Sequence, residues 1–137
     1  MIKKDGYYTW KKGQTYKLNA HFTTRDFQCP CSNPECVDQK ISVEIIDRLM
    51  VLRELIQEPL VITSGYRCEA YQAKLEASEV STIKDSPHLD GNAIDVKPTR
   101  MPIKDFVKLA EKLFKSIGIG SVFIHLDLRD KNQTWYY

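Results

Sequence analysis

The stretch Val122-Phe123-Ile124-His125-Leu126-Asp127-Leu128 alternates apolar and polar residues and reads as the core of a β-strand over residues 121–128. Successive strand side chains point to opposite faces, so Val122, Ile124, Leu126 and Leu128 are expected on the core side. Phe123, His125 and Asp127 share the other face. At about 3.3 Å rise per residue, the Cα atoms of His125 and Asp127 lie roughly 6–7 Å apart. One of the two can then hold a metal while the other reaches a water bound to it.

Working outward, residues 134–137 suggest a last short strand. Pro102 opens a helix that carries Phe106, Leu109, Leu113, Phe114 and Ile117 on one face, with Gly118 as the cap beyond its end. Residues 92–97 and 60–63 are strand-like, and residues 69–77 suit a short helix. The stretch 78–91 is rich in Ser, Pro, Asp and Gly and reads as a loop. Ile41, Ile45, Leu49, Leu52 and Ile56 recur at three- and four-residue steps, which predicts an amphipathic helix over 41–57 stopped by Pro59. Residues 23–39 read as a loop with one helical turn, and the alternation over 16–22 as a short edge segment. Helices and strands mix without a regular βαβ rhythm. The expected fold class is therefore α+β, a small, largely antiparallel sheet with flanking helices.

The chain has 137 residues, 42% hydrophobic and 28% charged, with a net charge of +2. That length suits one domain with a respectable core. The charge is too small, and too evenly mixed with acids, to argue for nucleic acid. No apolar run approaches a membrane span. The opening residues 1–8 hold two lysines without an apolar run behind them, so they do not read as a secretory signal. A monomer made in the cytoplasm is expected. Cys29, Cys31, Cys36 and Cys68 leave three readings open: reduced thiols, a four-thiolate structural zinc site, or a disulfide.

The chemistry concentrates in Ser86-Pro87-His88-Leu89-Asp90-Gly91-Asn92-Ala93-Ile94-Asp95. A histidine precedes an aspartate across a loop that turns into a strand, and nitrogen and oxygen ligands of this kind suit zinc. Gly91 and Ala93 are small where the chain would pass close to an ion. With His125, residues His88 and Asp95 form the three-ligand set that leaves a catalytic zinc one open position. His21, alone before two threonines, carries no such pattern. Ser64-Gly65-Tyr66-Arg67 follows the strand at 60–63, and Arg67 brings a fork of donors suited to a carboxylate or a developing oxyanion.

In this order the segments resemble the zinc D-Ala-D-Ala carboxypeptidase family. Its wider group includes vancomycin-resistance dipeptidases, phage L-alanoyl-D-glutamate endopeptidases and the hedgehog signalling domain. The pattern S-G-Y-R, then S-x-H-x-x-G-x-A-x-D, then H-x-D is met by Ser64 to Arg67, Ser86 to Asp95, and His125 with Asp127. The resemblance spans roughly residues 22–137 and leaves 1–20 outside. It implies a hedgehog/DD-peptidase-like fold over a single zinc peptidase domain, 1–137. It also implies Zn2+ on His88, Asp95 and His125, with Tyr66, Arg67 and Ser86 contacting substrate. Arg67 would stabilise the oxyanion. Several members carry an acidic base three residues before the second zinc histidine, where this chain has Val122. Asp127 is then the expected base, with Asp90 the next carboxylate.

The implied activity is hydrolysis of a peptidoglycan stem peptide, by carboxypeptidase or endopeptidase action. An endolysin-like phage or prophage enzyme, acting on the wall after release, fits the missing signal. The alternative is an inactive zinc-containing binding module or a phage structural component that binds wall peptide.

Overall fold

The computed structural model describes residues 1–77 and 86–137. The chain begins with a hairpin, β1 (Ile2–Lys4) and β2 (Tyr7–Lys11), whose turn residues Asp5 and Gly6 both have positive φ. Such Asp-Gly turns match the twist of two paired strands. β2 also pairs antiparallel with β3 (Asp38–Ser42), which completes a three-stranded sheet. Between them, residues 12–37 contain a 3-10 turn at Thr24–Phe27 and an isolated bridge from Lys17 to Thr23.

Ser42 ends β3 and caps α1 (Val43–Ile56), its hydroxyl accepting from the Ile45 N–H at 3.4 Å. The helix predicted over 41–57 thus starts two residues late, because Ile41 and Ser42 are held in the ladder opposite Tyr8 and Tyr7. It stops at Gln57, which turns left-handed (φ 54°) two residues before Pro59. α1 buries Ile45, Ile46, Leu49, Leu52 and Ile56.

The second sheet has the order β4-β5-β7-β6-β8, formed by β4 (Leu60–Ser64), β5 (Ala93–Pro98), β6 (Ser116–Ile119), β7 (Ile124–Asp127) and β8 (Gln133–Tyr136). All its pairings are antiparallel except β6 with β8. α2 (Glu69–Ala77) follows β4, and α3 (Ile103–Ala110) follows β5. The α+β class expected from the sequence is met, with two sheets. The loop expected at 78–91 falls partly at 78–85, outside the described residues; Pro87–Asp90 form a 3-10 turn.

Two boundaries move for physical reasons. The helix opened by Pro102 ends at Ala110, and Ile117 and Gly118 belong to β6, bonded to a strand on each side. Gly118 is no helix cap: a Cβ there would lie 2.6 Å from the Trp135 indole, so its small size makes room for that ring. The strand predicted over 121–128 begins at Ile124, because the Gly120 N–H bonds the Phe123 carbonyl and closes a turn. Val122 is 69% exposed in that turn rather than on the core face, and Leu128 is only half-buried. Ile124 and Leu126 are fully buried, and join Ile94, Val96, α1, Phe106, Phe114 and Ile117 in one apolar cluster.

Candidate metal centre

β5 and β7 are neighbours, and their register sets Asp95 directly opposite His125. Cross-strand partners project to the same side of a sheet, so the two side chains meet. His88 arrives from the 3-10 turn before β5. Ser86 caps that turn, its hydroxyl accepting from the His88 N–H at 3.3 Å. Gly91 ends the turn with φ 70°, and a Cβ there would come within 2.9 Å of the Lys40 carbonyl oxygen. Its smallness serves the approach of β3, whose Ser42 N–H bonds the Gly91 carbonyl, and not passage beside an ion.

The meeting atoms are His88 Nε2, Asp95 Oδ1 and His125 Nδ1. They form a triangle with sides of 3.1, 3.0 and 3.3 Å. Ligands bound tetrahedrally at about 2.0–2.1 Å stand ~3.3 Å apart, so the triangle has the dimensions of one face of a zinc tetrahedron. The outer ring nitrogens are already committed. His88 Nδ1 donates to the Gly65 carbonyl at 2.7 Å, and His125 Nε2 donates to Asp127 Oδ2 at 2.7 Å. In neutral rings those partners leave the lone pairs of His88 Nε2 and His125 Nδ1 turned to Asp95, and in a protonated ring the same atoms donate to it. Three acceptors converging in a buried place call for a cation, and the residues present fit zinc.

Burial alone pulls the His88 pKa down, more than the nearby Asp95 raises it. For His125 burial also acts downward, but hydrogen bonds to Asp127 and Asp95 win and its pKa rises. Burial would raise the Asp95 carboxyl; the charge of His88 and hydrogen bonds from both histidines hold it well below the usual carboxylate range. Asp95 is thus held ionised between the two rings.

Arg67 fixes the carboxylate from behind. Its Nη2 donates to Asp95 Oδ2 at 2.9 Å, its Nε to Ser64 Oγ at 3.0 Å and its Nη1 to Gln72 Oε1 at 3.1 Å. The backbone of Arg67 is tied to the His88 carbonyl, and that of Tyr66 to Phe27. Gly65 is required there, since a Cβ would fall 2.6 Å from the Phe27 carbonyl oxygen.

A cavity of about 230 Å³ opens over the trio, lined also by Ser64, Arg67, Tyr71, Ser86, Phe123 and Tyr137. Arg67 and Ser86, expected to contact substrate, both line this cavity. Tyr66, also expected there, lines a separate groove with Trp10 and Gln39.

Asp127, expected as the base, sits behind His125 and does not line the cavity. It is fully buried, and Oδ2 takes His125 Nε2, Ser116 Oγ (3.0 Å) and Arg129 Nη2 (2.7 Å). Oδ1 takes the Arg129 backbone N–H and Nε, at 2.9 and 3.0 Å. Burial would raise its pKa, but the bonds from His125 and Arg129 depress it. Asp90 is exposed and away from the cavity, and His21 pairs with Glu54 on the surface. Ser116, Arg129 and Trp135, whose ring lies 5.4 Å from His125, were not read as site residues. Arg129 had a signal, since it continues the two-residue alternation of His125 and Asp127.

A sequence description of one known family, Peptidase M15, matches residues 20–127. The chain belongs to the Peptidase M15 family. M15 membership supports a zinc-dependent metallopeptidase, and the family is the one expected from the motifs. The M15 match leaves the first hairpin outside, as the resemblance did. Comparison with curated proteins returned no match. Among the described residues, no helix is long and apolar enough to cross a membrane.

Proposed function

We propose that this chain, as one zinc peptidase domain, hydrolyses a peptide bond in the stem peptides of bacterial peptidoglycan, with the ion on His88, Asp95 and His125. The observation that supports this most directly is the zinc-sized triangle of ligand atoms beneath a cavity that also presents Arg67 and Ser86. When bound, zinc supplies a Lewis acid for the scissile carbonyl and lowers the pKa of its water toward ~7. Arg67 holds Asp95 correctly turned through its 2.9 Å ion pair. From the same cavity wall its guanidinium offers donors to a developing oxyanion or to a terminal carboxylate. Ser86 supports the same region of the substrate.

For Asp127 we favour a positioning role over that of base. A carboxylate that accepts from His125, Ser116 and Arg129 fixes the His125 tautomer, as outer partners of metal-bound histidines do. The peptidoglycan assignment rests on the complete S-x-H-x-x-G-x-A-x-D and S-G-Y-R motifs, together with a cavity that sets Arg67 and Ser86 beside the trio. A phage or prophage lytic enzyme acting after release is the setting that suits these motifs best.

One observation favours a second reading, an inactive module that binds wall peptide. Among the described residues no carboxylate besides Asp95 lines the cavity, and Val122 occupies the position of the usual acidic base. Digestion of purified peptidoglycan by the zinc-loaded protein separates the readings. New amino groups are expected, and mass spectrometry of the muropeptides identifies the bond. Loss of a terminal D-alanine marks a carboxypeptidase, and a split stem marks an endopeptidase. A folded, zinc-loaded protein that binds sacculi and releases nothing would establish the binding module.

A further inference from the structure

Cys29, Cys31, Cys36 and Cys68 come together, with Cys68 directly after Arg67 in the chain. Their four sulfur atoms all lie within 4.8 Å of one another, and all four are free thiols. Cys31 Sγ and Cys68 Sγ are 3.7 Å apart. A disulfide requires ~2.05 Å. Four thiolates bound tetrahedrally at about 2.3 Å stand ~3.8 Å apart. The observed pair has the second spacing.

We propose that these four cysteines bind a structural zinc ion in a closed four-thiolate site. The assignment is independent of the peptidase reading, and either can fail without the other.

The surroundings treat the sulfurs as acceptors. Cys29 Sγ accepts from the Cys68 backbone N–H, Cys68 Sγ from the Tyr71 N–H, Cys36 Sγ from Gln39 Nε2, and Cys31 Sγ from Lys12 Nζ, each at 3.4 Å. Every sulfur thus has at least one donor. A neutral thiol is a weak acceptor with little use for such a set, whereas a metal-bound thiolate is stabilised by it. Four thiolates around Zn2+ leave a net charge of −2. Lys12 offsets part of it, and Lys74 lines the same shallow hollow as Cys31.

The local chain path also suits a preformed site. Pro30 restricts the backbone between Cys29 and Cys31. A turn at Asn33, whose side chain accepts from the Glu35 N–H at 3.0 Å and whose carbonyl accepts from Cys36, brings the third sulfur back. Cys68 comes from the start of α2, directly after Arg67. The ion would therefore clasp a loop with few ladder bonds of its own to the segment that carries Arg67. Pro30, between two of the ligands, lines the cavity over the metal centre. The site would supply folding free energy where the chain has little core, and would fix one wall of the cavity.

The test is metal content and cobalt spectroscopy on the full chain, purified reduced and without chelator. About two zinc ions per chain are expected for wild type and about one for H88A/D95A. Adding Cys31→Ser and Cys68→Ser to that variant should remove the last one. Should these variants fail to fold, wild type suffices. Replacing its zinc with cobalt should produce thiolate-to-cobalt charge-transfer absorption, which histidine and aspartate ligands do not give. The thiols of the native protein should also resist alkylation until a chelator is added. Three results would overturn the proposal: no charge-transfer band in cobalt-loaded wild type, an intact mass lower by two hydrogens per disulfide, or iron in place of zinc.

Discussion

Asp127→Asn removes one negative charge from behind His125 and keeps the shape of the side chain. In wild type, two carboxylate oxygens accept from His125 Nε2, Ser116 Oγ and three donors of Arg129. An amide offers one accepting oxygen. If that oxygen stays with His125, its NH2 group faces the Arg129 backbone N–H and Nε; if it flips, it faces His125 Nε2–H instead. The Arg129 side chain is 44% exposed and can turn to water, so the histidine bond is the costly one to lose. Outer partners of this kind are worth 10- to 100-fold in metal affinity, about 1.4–2.7 kcal/mol. Zinc affinity measured by competition with a chromogenic chelator should weaken by that factor. At saturating zinc, kcat should fall much less than 100-fold. Unchanged affinity with a rate loss of ~100-fold or more would make Asp127 the base and refute the positioning argument.

Arg67→Lys replaces a fork that reaches Ser64, Gln72 and Asp95 with a single ammonium; losing a charge-assisted bond worth about 1.5–3 kcal/mol should lower kcat/KM by roughly 10- to 100-fold in a protein that still folds. Wild-type turnover would return Arg67 to a passive role. Gly65→Ala puts a Cβ 2.6 Å from a backbone oxygen that has little room to yield, so a loss of about 1–3 kcal/mol is expected in urea unfolding, and an unchanged midpoint would contradict the packing described. Glu58 accepts from the Thr99 hydroxyl and from the Arg100, Thr99 and Met101 N–H groups, and these bonds lower its pKa. A depressed folded pKa contributes stability above the unfolded value, which is lost as pH falls through the folded value. The melting-temperature gap between wild type and Glu58→Gln should therefore shrink on acidification, and a gap that stays constant through the carboxylate range would count against the clasp.

Hydrophobic period located the elements whose faces are one-sided. Ile124 and Leu126 against His125 and Asp127 define β7, and the α1 stripe from Ile45 to Ile56 is equally plain. It misassigned Ile117, because an apolar residue at helical spacing after Leu113 and Phe114 also fits a short central strand, and only pairing on both edges decides. The first hairpin was missed although Asp5-Gly6 marks its turn, since β1 is fully exposed and buries no face that would betray it. The metal trio was legible because local spacing and one strand's alternation carry it. The surroundings of Asp127 were not. Sharing a face with His125 says nothing about what stands behind it, and Ser116 and Arg129 reach it only through the β6–β7 hairpin and the turn after β7. Nor could spacing bring Cys68 to the cysteine cluster, which depends on the approach of Tyr66 to Phe27.

With zinc on the trio, as proposed, the direct pairing of Asp95 with His125 would couple the ion to the sheet by mass action. A slip of one residue between β5 and β7 would send His125 to the core face and destroy the trio, so zinc would bind only the correctly paired chain. Free zinc at 100 times its dissociation constant then adds about 2.7 kcal/mol to folding. Resistance to heat and to proteolysis should accordingly rise and fall with the zinc activity of the surroundings. A medium poor in zinc would shorten the lifetime of the folded protein as well as idle it.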